Sequence, residues 1–140
     1  MKLIVLLSTL VFLTNASKFT IPSFMANWHK AHELCSSTGQ QLVTIDSTKK
    51  QAEVHAFIKS SGEFRPKCRF WIGASDLATQ NTYSWVHTGR LVTFTNWAES
   101  EPNSSAERCV ELIHDYTWTN PFGWNDNNCA FQFRFICETV

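Results

Sequence analysis

Apolar and polar positions divide the chain into two halves with different periods. In residues 27–37, Trp28, Ala31, Leu34 and Cys35 recur at the three-and-four spacing of one buried helical stripe, and Gly39 stops the run. Residues 41–45 alternate as a strand does. Ser47 is placed to cap a second helix over Thr48–Ser60, with Ala52, Phe57 and Ile58 predicted to face inward. Gly62 and Pro66 close this helical half.

The second half reads as short strands. Residues 70–73 form an apolar run, 83–86 alternate before a turn at Thr88-Gly89, and 91–97 follow. A polar loop occupies 98–108, and 109–113 look like a buried strand. Phe131, Phe133, Phe135 and Cys137 stand at alternate positions, which predicts one face of a last strand. Two helices followed by short strands and a long loop predict an α+β domain of two helices packed on antiparallel sheets. The chain shows no internal repeat and no low-complexity tract.

Composition narrows the picture. A chain of 140 residues holds one domain with a core, not two. Six Trp and eleven Phe exclude a disordered chain and imply a core of large rings. Twelve basic residues balance twelve acidic ones, so net charge attracts neither nucleic acid nor an anionic membrane. Any electrostatic function must be local.

Lys2, a mostly apolar stretch over 3–13, and the small Ala16 after Thr14-Asn15 read as a secretory signal. The apolar stretch falls short of the ~20 residues that span a bilayer. Residues 1–16 are therefore expected to be a signal peptide and 17–140 the mature, secreted, extracellular domain. In an oxidising compartment Cys35, Cys68, Cys109, Cys129 and Cys137 default to disulfides, but an odd number leaves at least one thiol without a partner in the chain. No C-x-x-C pair supports zinc instead.

Candidate chemistry concentrates between Glu101 and Asp126. Glu101-Pro102-Asn103 is followed by Glu107 two residues before Cys109, and Trp124-Asn125-Asp126 stands three residues before Cys129. Calcium takes about six to eight oxygen ligands from carboxylates, amide carbonyls and backbone. Glu101, Asn103, Glu107 and Asn125 supply one oxygen each, and Asp126 a side-chain and a backbone oxygen. Two further positions remain for hydroxyls of a ligand.

At these residues the chain resembles the C-type lectin family, in the short form without an extra N-terminal cysteine pair. Trp71-Ile72-Gly73 matches the family's W-I-G strand, Glu101-Pro102-Asn103 its mannose-type E-P-N loop and Trp124-Asn125-Asp126 its W-N-D strand. The resemblance covers nearly the whole mature chain, and the order and spacing of the motifs make it specific. It implies the disulfides Cys35–Cys137 and Cys109–Cys129, leaving Cys68 unpaired, and a cis bond before Pro102. The long Cys35–Cys137 loop would be worth roughly 4–5 kcal/mol in the chain-entropy model.

The resemblance further implies calcium and carbohydrate binding by Glu101, Asn103, Glu107, Asn125 and Asp126. Glutamate before asparagine implies a preference for equatorial 3- and 4-hydroxyls, as in mannose, GlcNAc and fucose-type sugars. The expected partners are glycans or glycoproteins. The family's auxiliary calcium site is not expected: Asp76 matches one of its positions, but Gln80, Ser104 and Arg108 stand where carboxylates would be needed. One calcium ion is the expectation.

Blander readings apply elsewhere. Trp71, Trp85, Trp97 and Trp124 have the contexts of packing residues. His29 and His32 lack a carboxylate at metalloprotease spacing, and no nucleophile has an evident base, so catalysis is not expected. Cys68 is either a free, partly buried thiol or the bridge of a disulfide-linked dimer. The competing function is a calcium-independent, protein-binding lectin-like domain, whose members typically lose the ligands that this chain keeps. Asn103-Ser104-Ser105 is also an N-glycosylation sequon, in conflict with a ligand role for Asn103.

Overall fold

The computed structural model describes residues 17–140, so the expected signal segment lies outside the described residues. In chain order the elements are β1 Phe19–Thr20, α1 Trp28–Ser37, β2 Gln40–Leu42, α2 Thr48–Ser60, β3 Lys67–Thr79, β4 Thr82–Trp85, β5 Cys109–Asp115, β6 Phe122–Asn127, β7 Arg134–Phe135 and β8 Cys137–Thr139. The α+β expectation holds. One small sheet has the order β1-β8-β2 and is antiparallel throughout. The larger runs β4-β3-β5-β6, also antiparallel, while β7 joins β3 in parallel.

The helices begin where side chains satisfy their first free N–H groups. Asn27 accepts from Lys30 N at 2.8 Å to open α1, and Ser47 accepts from Lys50 N at 3.1 Å to open α2. Gly39, at φ 71°, takes the left-handed conformation that stops α1. Trp28, Ala31 and Cys35 are buried as predicted, with Leu34 packed at their margin. In α2 the buried pair is Val54 and Ile58, with Phe57 half-buried beside them. The inward assignment of Ala52 is corrected, because it lies six residues from Ile58 and so well round the helix, and it is exposed.

The last strand is also corrected. Residues 131–137 do not form one alternating strand: Phe131 is 51% exposed, and the chain breaks into β7 and β8, which serve different sheets. Phe135, Ile136, Cys137 and Glu138 are all buried, because the segment crosses the interior between the two sheets and meets protein on every side. Residues 91–97 contribute only isolated bridges, Ser84 to Leu91 and Trp97 to Trp124.

Rings fill the core. Trp124 is fully buried, with edge-on contacts to Trp85, Phe94 and Trp97 at centroid separations of 5.8, 6.0 and 5.9 Å. Trp71, also fully buried, donates to Ala26 O at 3.1 Å, and Trp28 to Ile72 O at 2.8 Å, so neither indole N–H is stranded. Both expected disulfides are present: Cys35–Cys137 ties α1 to β8, and Cys109–Cys129 ties the start of β5 to the segment after β6. Cys68 is free and half-buried in β3, and burial raises its thiol pKa. Among the described residues no helix is long and apolar enough to cross a membrane.

Candidate functional site

The site is built where the 98–108 loop folds over β6. Ala98 N donates to Trp124 O at 2.9 Å, and Gly123 allows the close approach: a Cβ there would stand 2.9 Å from Ala98 Cβ. Glu101 N returns to Ala98 O at 3.1 Å, with Ser100 at φ 65° between them, and the Glu101–Pro102 peptide is cis as expected. The loop is thereby pinned to the strand that carries Asn125 and Asp126.

Asp126 is the anchor. It is fully buried, and its two carboxylate oxygens accept from Asn103 N at 3.2 Å and Ser104 N at 3.3 Å. Asn103 Nδ2 donates to Glu101 Oε1 at 3.0 Å, while Glu101 Oε2 is buried with no partner. Glu107 N donates to Ser104 O at 3.1 Å, which folds Glu107 back toward the same loop. Asn125 stands opposite Glu111 in the β5–β6 register.

The electrostatics of this cluster are unfavourable to its own charges. Burial, then hydrogen bonding and repulsion from Asp126, with Glu107 and Glu111 adding to it, push Glu101 up to about 7. Burial and the Asp126 charge also raise Glu107. Two carboxyls raised by burial and by a neighbouring carboxylate, beside an unpartnered buried oxygen, fit a cation. Carboxylate, amide and carbonyl oxygens are the donor set of a hard ion such as calcium. The structure thus joins Glu101, Asn103 and Asp126 by direct hydrogen bonds. It links Glu107 through Ser104 and the field of Asp126, and sets Asn125 next to Asp126 on β6.

Two further features lay outside the sequence reading. Glu111, fully buried, is held by Arg69 and by Asn127 Nδ2 at 3.1 Å, yet burial still raises its pKa. A charged residue inside the apolar run of β5 was its available signal, since such a residue is rarely buried unless paired. The second is the ion pair between Arg108 Nε and Asp76 Oδ1 at 3.1 Å. Asp76 also accepts from Asn81 N at 2.8 Å, so both its oxygens are engaged within the protein.

Comparison with known proteins agrees with this architecture. The Lectin C-type domain model matches residues 25–139. C-type lectin mosGCTL-7 of Aedes aegypti is 46% identical over 138 residues, covering 97% of this chain and 90% of that protein. Salivary C-type lectin 2 of Aedes albopictus is 32% identical, covering 87% of this chain and 83% of its own. Among solved structures, the C-type lectin domain of murine dendritic cell inhibitory receptor 2, in complex with N-glycan, has TM-score 0.71 and 28% identity, covering 86% of this chain and 88% of that one. With the motifs, the two disulfides and the paired sheets in agreement, the chain belongs to the C-type lectin family.

Proposed function

We propose that this chain is a secreted lectin that holds one calcium ion through Glu101, Asn103, Glu107, Asn125 and Asp126 and binds mannose-type sugars through it. Carbohydrate binding goes with the family, and the ion, its ligands and the sugar preference follow from the residues that this chain carries at the site. The observation that carries it is the link of Glu101 to Asp126 through Asn103, with Glu101 Oε2 buried and unpartnered and the Glu101 carboxyl raised by burial and by Asp126. A bound cation would relieve both conditions. Bound calcium supplies a Lewis-acidic centre that accepts a vicinal pair of sugar hydroxyls. The chain's own part is to orient: the Asn103 and Ser104 N–H groups fix Asp126, and Asn103 Nδ2 is already a donor beside a carboxylate acceptor.

A single ion is supported by the Arg108–Asp76 pair, in which a guanidinium stands where an auxiliary cation would need negative charge. The same secreted setting agrees with the two disulfides. Affinity for one sugar should be weak, about millimolar, because the contacts are few and the site is open. The test is elution from immobilised mannose. Wild type should be retained in calcium and released by EDTA, and Asp126→Ala should not be retained at all. Retention of Asp126→Ala that remains sensitive to EDTA would overturn the ligand assignment, and wild-type retention indifferent to EDTA would favour a calcium-independent binding domain.

A further inference from the structure

Glu111 lies on β5 with a fully buried side chain, and its carboxylate accepts from side chains on both neighbouring strands. Arg69 on β3 donates to Oε1 through Nε at 3.1 Å and through a second guanidinium nitrogen, and Asn127 on β6 donates to Oε2 at 3.1 Å. The remaining donor is the amide of Asn125, the residue directly opposite Glu111 in the β5–β6 register. A buried ion pair is weak evidence for stability, since apolar residues of the same volume often serve as well. What an apolar pair cannot supply is a fixed sense for the two asparagine amides. We propose that Glu111 is a positioning residue for the calcium site, which holds the Asn125 amide with its nitrogen turned inward and its oxygen left for the ion. The inference rests on the calcium–sugar reading above and adds to it a residue that touches neither ion nor sugar.

The direction follows from what each group can do. An ionised carboxylate only accepts, whereas a primary amide carries two N–H donors on one side and a carbonyl oxygen on the other. Calcium takes the oxygen and not the nitrogen. Asn125 therefore serves the ion in only one of its two amide orientations, and the strand backbone that carries it does not choose between them. A carboxylate beside it does choose, because it draws the NH2 group and leaves the oxygen free. One N–H is then used on Glu111, and the second stays available to a hydroxyl of the ligand.

Glu111 is itself held firmly enough to impose that choice. Arg69 grips one oxygen from a guanidinium that lies 4.4 Å from the centre of the Phe133 ring. Asn127 holds the other, and its own amide is fixed at both ends: Oδ1 accepts from Asn128 N at 2.7 Å while Nδ2 donates to Glu111. Asn125 and Asn127 are two residues apart on β6 and so share one face of the strand. The carboxylate that meets the Asn127 nitrogen thus presents the same kind of acceptor to Asn125. Removing the group behind a metal ligand typically lowers metal affinity by about ten- to a hundredfold.

Calcium titration by calorimetry, with Tm measured in EDTA on the same preparations, tests this. Glu111→Gln keeps the side-chain volume but adds an N–H donor. Asn127 is pinned by Asn128 N, so Asn125 is the amide that must turn, and calcium affinity should fall about tenfold or more. Arg69→Lys keeps the carboxylate and its countercharge but loses the planar fork, so Tm should fall while calcium affinity stays near that of wild type. Glu111→Gln together with Asn125→Asp exchanges donor and acceptor between the two positions at constant charge, and should restore calcium binding. The last two variants keep the test decisive if Glu111→Gln alone does not fold. Unchanged affinity in Glu111→Gln, affinity that falls in step with Tm in Arg69→Lys, or a double variant still about tenfold weaker than wild type would overturn the positioning role and leave the calcium site standing. Wild type that takes up no calcium would remove the underlying reading and this role with it.

Discussion

Asn103 Nδ2 donates to Glu101 Oε1 at 3.0 Å, and the same nitrogen is the atom to which an N-linked glycan would attach. A glycan there would remove a donor hydrogen and cover an open coordination site. Protein eluted from mannose is therefore expected to be unmodified at Asn103, with any glycosylated fraction in the flow-through, and peptide mass spectrometry of the two pools checks it. Arg108 offers a stability prediction. Asp76 is nearly fully buried, so Arg108→Ala would leave its carboxylate facing only Asn81 N, at a cost of about 2 kcal/mol measurable by urea denaturation. At this scale type and spacing are what nominate the candidate site: Glu101, Asn103, Glu107, Asn125 and Asp126 are oxygen donors in a short stretch, and the structure joins Glu101, Asn103 and Asp126 by hydrogen bonds. Glu111 was not read, because a side chain's burial depends on partners such as Arg69, 42 positions away.

Among the elements, the contact between the loop and β6 controls site geometry. Gly123→Ala would drive a methyl group to 2.9 Å from Ala98 Cβ and 3.1 Å from Ala98 Cα, and the loop base must move to admit it. The expected result is a several-fold loss of sugar affinity with a modest fall in Tm; calorimetry and thermal melts on one preparation separate the two. Helices were legible because caps and stripes are local: Asn27 or Ser47 before a periodic run is enough. β6 was recognised only through its W-N-D motif, and the break between β7 and β8 was missed. Strand pairing depends on partners far along the chain, and residues 135–138 bury every side chain, which erases the period-two signal.

For the whole molecule, pH and calcium should act together. Glu101 is raised from 4.5 to about 7, so in ion-free protein its contribution to stability is present below about 4.5 and lost as pH rises through 7. Calcium needs the ionised form, so its stabilising effect should instead fade as pH falls below 7. His55, stacked on Phe122 and lowered from 6.5 to about 4 by burial, then by Lys59 and His114, loses its contribution as pH falls through that window. Because His55 acts with and without calcium, the difference in Tm between calcium and EDTA isolates the site. That difference should shrink between pH 7 and about 5, with a midpoint that moves lower as calcium rises. A midpoint indifferent to calcium would show that the protons do not compete with the ion and would overturn the carboxylate ligand set.

The small sheet places β8 between β1 and β2, so its central strand is, of all the described elements, the last to leave the ribosome. Until it emerges, β1 and β2 have no partner, since each pairs with β8 and not with the other. Glu138 arrives on the same strand, and it is the buried carboxylate that accepts from Thr44 N at 2.8 Å and pairs with Lys50 at 2.7 Å, joining β8 to the start of α2 and the segment before it. The sheet cannot close before β8 has emerged, and pairings this distant in sequence form slowly because the intervening chain must first be ordered. A nascent chain that stalls before Cys137 should carry its helices but no closed domain, with the edges of β1 and β2 left open to any chaperone or protease that reads unpaired strands.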